Sequence, residues 1–248
     1  MKNTLKATTL ETKLPLLAVE HGCIISKDAD ITVAFKVELP ELFTVTSQEY
    51  EAMHGAWCKA IKVLPHFSVV HKQDWFVSEN YKPELQSSTK SLGSAKNDDL
   101  SFLDRSFERH FNERPYLAHE CYLFLTKTTK ERARQQSNFS TLCRGRMTPK
   151  ELNPETVVKF MESVEQFERI INDTGYIRLR RLSDDELVGT EKESGLIEKY
   201  MSLSLDKVTC LEDIDLSAQQ MRIGDKMLCL HTLSDTEDLP GKISTDNR

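Results

Sequence analysis

With 248 residues, 39% of them hydrophobic and 29% charged, the chain has enough apolar material for a sizeable core, in one large domain or two small ones. A mean hydropathy of -0.46 goes with the lack of any apolar run near the roughly 18 residues that span a bilayer, and the polar start MKNTLKATTLETK lacks the apolar core of a secretory signal. The net charge of -6 argues against a surface that tracks nucleic acid throughout, because such binding rests on neutralising phosphates. The expectation is a cytoplasmic chain that meets a membrane only through a partner or a surface patch. Its six cysteines, Cys23, Cys58, Cys121, Cys143, Cys210 and Cys229, are far apart in a chain too long to need stapling, so they are expected to be reduced.

After a polar arm, LLAVEHGCIIS and DITVAFKVELP are two β-rich runs separated by Lys27, Asp28, Ala29 and Asp30, the pattern of a hairpin. Ser47 is the expected N-cap of a helix whose apolar positions Met53, Ala56, Trp57, Ala60, Ile61 and Leu64 recur at helical spacing until Pro65. Trp57 falls in that stripe and is read as core. HFSVVHKQDWFVS, rich in β-branched and aromatic residues, is a strand, and the polar, aperiodic residues from about 79 to 99 form a mobile loop. Leu100, Leu103, Phe107 and Phe111 mark a short helix ending before Pro115. CYLFLTKTT, apolar almost throughout, is expected to be a central strand.

From Lys127 to Lys150 the chain turns polar and basic. Asn153 as cap and Pro154 as first helical residue then open a strongly amphipathic helix through Val157, Phe160, Met161, Val164, Phe167 and Ile171, closed near Gly175. Ser183 with Glu186 and Thr190 with Glu193 both match the capping box, predicting two short helices around Gly189. Gly224-Asp225 between two β-type runs predicts a hairpin. The resulting fold class is α+β, a mixed, largely antiparallel sheet with helices packed on it. One domain would cover residues 1–234, with the loop at about 79–99, and residues 235–248 would be a linker.

The sequence has no G-x-x-x-x-G-K-[ST], and its single Gly-Lys step, Gly241-Lys242, is followed by Ile243. G-x-G-x-x-G and G-x-S-x-G are missing as well, which leaves no dinucleotide fingerprint and no hydrolase elbow. No catalytic, cofactor-binding or metal-binding residue is therefore assigned. In FERHFNERPYLAHECYLFLTK, the residues His110, His119 and Cys121 supply the ligand types for a three-ligand metal site. The preferred reading of that stretch is a helix-to-strand seam: Arg109 and Glu113 cover a helix end, Pro115 breaks it, and Cys121 enters the sheet as a small apolar residue. His66 and His71 would point to opposite strand faces. The pairs His71 with Asp74 and Glu20 with His21 have no adjacent nucleophile, so they are read as solvated or hydrogen-bonded side chains. The best candidate for anion or nucleic-acid contact is the basic segment with Lys127, Lys130, Arg132, Arg134, Arg144 and Arg146, weighed against an ordinary solvated surface.

Five segments go further than these motifs: HGCIISKDADITVAFKVELPELFTVT, CKAIKVLPHFSVVHKQDWF, SFLDRSFERHFNERPYLAHECYLFLTKTTKERARQQSNFSTLCRG, EQFERIINDTGYIRLRRLSDDELVGT and MRIGDKMLCLHTLSDTEDLPG. Together they closely resemble the N-terminal portion of TraG-type proteins of conjugative transposons, relatives of the VirB/TrbE/CagE ATPases of type IV secretion systems. In that family an N-terminal domain precedes a P-loop motor that forms hexamers on the cytoplasmic side of the inner membrane and powers pilus assembly and DNA transfer. The sequence departs from the full family pattern by reaching Arg248 without a P-loop, so the resemblance transfers no catalytic residue, and ATP and magnesium belong to the missing motor. It implies a non-catalytic domain, peripheral to the inner membrane, that docks the motor to the membrane channel. The implied partners are inner-membrane and cytoplasmic components of the conjugation apparatus, with self-association through the full-length hexamer. Three alternatives are a nucleic-acid contact module built on the basic segment, a stand-alone accessory protein of conjugation, and an enzyme with its site around His110, His119 and Cys121.

Overall fold

The computed structural model describes residues 14–27, 29–40, 45–79, 106, 109, 116–128, 154–216 and 221–233. The first β-rich run breaks at His21 and Gly22, whose φ angles of 55° and 68° are the two positive values that a type I′ hairpin turn requires. β1 (Leu16–Glu20) and β2 (Cys23–Ser26) pair antiparallel across it, with Glu20 opposite Cys23. A second turn, through Ala29 at φ 62°, leads into β3 (Ile31–Glu38), antiparallel to β2. Three strands thus replace the two expected runs. Apolar alternation did not reveal the first turn because His-Gly is a weaker signal than Asn-Gly or Asp-Gly.

β3 is the spine of the sheet. Its consecutive residues Val33, Ala34 and Phe35 are all fully buried, and since neighbours in a strand point to opposite faces, both faces are covered. The sheet is six-stranded in the order β1-β2-β3-β5-β4, with β4 (Ser68–Glu79) and β5 (Tyr116–Lys127), and β6 (Arg178–Arg181) also pairs with β3. β2 covers Ile31 to Val33 and β6 covers Phe35 to Glu38, both antiparallel. A strand has two edges, so with β5 on one, β2 and β6 follow each other along the second. β6 was not anticipated: in RLRR only Leu179 is buried, and three arginines hide its β character. β5 has the expected inner place between β3 and β4, with Leu123 and Leu125 fully buried. It starts at Tyr116, directly after Pro115, so His119 lies within the strand.

α1 (Ser47–Val63) is capped by Thr46, not Ser47: the Thr46 hydroxyl accepts from the Glu49 N–H and the Glu49 carboxylate accepts from the Thr46 N–H. The box needs an acid three residues after the cap, which Thr46 has and Ser47, with Tyr50 at that position, does not. Met53, Ala56 and Ala60 are buried, and Trp57 meets Phe167 edge-on at 5.8 Å and 67°. Phe167 belongs to α2 (Pro154–Asn172), which begins at the expected proline and buries Phe160, Val164, Phe167 and Ile171. The edge-on contact of Trp57 with Phe167 joins the two helices. Ile61 is 47% exposed, so the buried stripe of α1 is narrower than expected. After α2, Gly175 at φ 72° donates to the Asn172 carbonyl at 3.0 Å. The Asn172 amide in turn bonds both ways to the Leu179 backbone, at 2.7 and 3.1 Å, tying the helix end to β6.

α3 (Asp184–Val188) starts at the Ser183–Glu186 capping box as predicted. The second match does not start a helix. Thr190 accepts from the Glu193 N–H at 3.3 Å and donates its own N–H to the Glu193 carbonyl at 2.8 Å, closing a turn inside the Gly189–Ser194 bridge. α4 (Leu196–Ser202) begins only after Gly195, its N-cap. A separate three-stranded sheet, β7 (Ile214–Leu216), β8 (Met221–Ile223) and β9 (Lys226–Leu228), includes the predicted Gly224-Asp225 hairpin.

The architecture is α+β with antiparallel pairings, as expected. The chain forms two compact units, Met1–Lys72 with Tyr122–Arg248, and Gln73–Cys121. Apart from Glu79, which ends β4, and the helical Ser106 and Arg109, the expected loop at 79–99 and the helix from Leu100 to Phe111 lie outside the described residues. So do the Asn153 cap, residues 129–150 and the linker 235–248.

Candidate functional site

Two clusters of polar side chains stand out, one in each unit. In the larger unit the His21-Gly22 turn is held by residues more than 150 positions away. Asp184, the first residue of α3, accepts from the N–H groups of His21 and Gly22 at 3.0 and 2.5 Å. Arg181, the last residue of β6, donates through Nη2 to the carbonyls of His21 and Gly22 at 2.8 and 3.4 Å. The same nitrogen approaches Cys23 Sγ at 3.5 Å. Burial pushes the Cys23 thiol up, against the lowering influence of Arg181. His21 takes part here through its backbone N–H and carbonyl.

In the unit Gln73–Cys121, Asp74 and Phe76 share one face of β4 by alternation. His119 Nε2 lies 2.9 Å from Asp74 Oδ1, and the rings of His119 and Phe76 are stacked at 4.6 Å and 10°. The carboxylate and the ring together fix the imidazole in one orientation. Asp74 is thus bonded to a histidine 45 residues away and not to its near neighbour His71, whose ring rests against Phe124 at 5.7 Å. Beside the pair Phe76 is 63% exposed and Leu117, which shares the His119 face of β5, is 67% exposed.

Of the three residues with metal-ligand chemistry in FERHFNERPYLAHECYLFLTK, two are described. His119 is committed to Asp74, Cys121 is only 3% exposed, and His110 lies outside the described residues. Among the described residues no three His, Cys, Asp or Glu side chains converge as metal ligands. Of the basic residues singled out for anion contact, only Lys127 is described. Its ammonium donates to the carbonyls of His66 and Thr128 at 2.6 and 3.3 Å and lies 5.5 Å over the Phe67 ring, and burial lowers its pKa. Thr128 adds two bonds to the Phe67 carbonyl, each 2.9 Å. Lys127 therefore braces the turn at Phe67, a residue with φ 63°. Lys130, Arg132, Arg134, Arg144 and Arg146 lie outside the described residues. Sequence reasoning missed the Asp74, Phe76 and His119 surface. Alternation in QDWFVS puts Asp74 and Phe76 on one face, but nothing local says which strand lies beside them.

What these features define is an α+β module with an exposed aromatic face. A family model described as "Domain of unknown function, B. Theta Gene description (DUF3875)" matches residues 3–55, a span that includes β1 to β3 and the start of α1 and carries no statement of activity. No curated protein matches the sequence. Among the described residues no helix is long and apolar enough to cross a membrane.

Proposed function

We propose that this chain is a non-catalytic docking and assembly domain of a conjugation apparatus, coupling a P-loop motor to the inner-membrane channel during DNA transfer. The observation that carries the reading is the exposed surface of Phe76 and Leu117 around the fixed His119–Asp74 pair. The resemblance of five sequence segments to TraG-type N-terminal portions supplies the identity of the apparatus. In this reading ATP and magnesium are handled by the motor, and the domain works at the cytoplasmic face of the inner membrane.

The test is binding of the full chain to purified soluble portions of inner-membrane channel components. Phe76→Ala and Leu117→Ala are expected to weaken the interaction by about tenfold each, the effect of truncating a moderate interface anchor. A chain that binds no channel component, or binds equally well with both residues truncated, overturns the reading. If the basic segment contacts nucleic acid instead, single-strand binding falls steeply with salt and charge reversal at Arg132 and Arg134 abolishes it.

A further inference from the structure

His54 and Cys58 are four residues apart on α1, so they share one helix face, and both are exposed. Their donor atoms, Nε2 and Sγ, are 3.8 Å apart. Neutral imidazole and thiolate are the nitrogen and sulfur donors that zinc and similar divalent ions take. With Zn–S of about 2.3 Å and Zn–N of about 2.0 Å, a tetrahedral angle at the metal places two such donors roughly 3.5 Å apart. The observed separation needs only a slightly wider angle or a small side-chain rotation. The opposite face of α1 is anchored, because Ala56 and Ala60 are buried and Trp57 packs on Phe167; the spacing of the donors is therefore set by helical backbone. Glu51 and Lys62, about a turn away on either side, are exposed on the same stripe and balance each other in charge.

We propose that His54 and Cys58 form a bidentate site for a divalent transition-metal ion of the zinc class. Binding displaces the Cys58 thiol proton to solvent and leaves the other coordination positions to water or to a ligand from a second molecule. The site goes beyond the docking reading and does not depend on it. A second thiol–imidazole pair, Cys229 with His231 at 3.3 Å, lies after β9 outside regular structure, so the test uses the full chain carrying Cys229→Ser to read one pair alone.

Cobalt(II) is titrated under reducing, anaerobic conditions, following the thiolate-to-cobalt charge-transfer absorption, and zinc is then added as competitor. The expected result is a band saturating near one equivalent and displaced by zinc. Cys58→Ser and His54→Gln should each weaken binding by about tenfold or more, since even outer-shell losses at metal sites register on that scale. Amide exchange across α1 should slow on metal addition in the parent and not in either variant. No charge-transfer band, or a band unchanged by either variant, overturns the proposal. Binding lost with Cys58→Ser but untouched by His54→Gln also overturns it, because a lone thiolate is not a chelate. Both side chains are exposed, and circular dichroism of each variant verifies that the fold is unchanged.

Discussion

The α1–α2 interface and the seam around the His21-Gly22 turn both tie distant parts of the larger unit together, with opposite chemistry. Between the helices the contact is apolar, with Trp57 of α1 meeting the fully buried Phe167 of α2. At the seam two backbone N–H groups and two carbonyls of a two-residue turn are met by one carboxylate and one guanidinium. Apolar burial scales with area and asks for little direction. The polar seam is directional, because each donor must meet its acceptor at hydrogen-bonding distance and angle. The difference shows in the sequence: the helix stripe repeats visibly, while Asp184 and Arg181 look like ordinary surface charges.

The contrast breaks first at Phe167. Phe167→Ala removes a fully buried ring from the helix pair and should cost about 3–5 kcal/mol, seen as a lower urea midpoint with unchanged slope. A loss under 1 kcal/mol would mean that the helices are not the main apolar contact. At the seam, Gly22→Ala meets two obstacles: φ is 68°, and an added Cβ would lie 3.1 Å from Arg181 Nε and Nη2. The expected loss is about 1–3 kcal/mol. Gly55→Ala is the control, a helical glycine with open space around it, and should stabilise by about 0.5–1 kcal/mol; equal effects at the two glycines would deny the seam any special role.

The smallest effect concerns Glu186. Its carboxyl is held down to about 2, from an ordinary 4.5, first by the hydrogen bond from Arg180 and then by the Ser183 N–H. Because the folded value is depressed, this stabilisation is complete above the ordinary carboxylate range and disappears as pH falls from about 4.5 towards 2. Both partners are well exposed, so solvent screening limits the charge contribution to under about 1 kcal/mol. Glu186→Gln, which keeps an oxygen for the cap, should lower the melting temperature slightly at neutral pH and not at all near pH 2. A difference that persists in acid would assign the effect to capping geometry and not to charge.

Capping shows how far local reading reaches. Three hydroxyl–acid pairs have the same spacing. Ser183–Glu186 caps α3 as predicted, Thr46–Glu49 caps α1 one residue before the expected Ser47, and Thr190–Glu193 closes a turn. The spacing specifies the hydrogen bonds, but whether the chain then coils is decided by its next residues; after Glu193 it enters the bridge to Gly189. The proposed docking surface was less legible still. Lys127, one of the candidates for anion contact, braces Phe67, and His119, one of the residues with metal-ligand chemistry, bonds Asp74.

By itself the sequence determined the elements whose causes lie within about four residues: the amphipathic α2 starting at Pro154, the Gly224-Asp225 hairpin, the apolar β5 core and the Ser183 cap. It also determined the lack of a P-loop between Met1 and Arg248. Tertiary structure alone decided that β6 extends the β2 edge of β3, that Asp74 meets His119 across 45 residues, and that Arg181 and Asp184 close the first hairpin. The reason is physical. Period and capping depend on backbone geometry that each segment carries with it, whereas strand neighbours are selected by burying Val33, Phe35, Leu123 and Leu125 together, a demand that many local sequences satisfy and only the whole chain resolves.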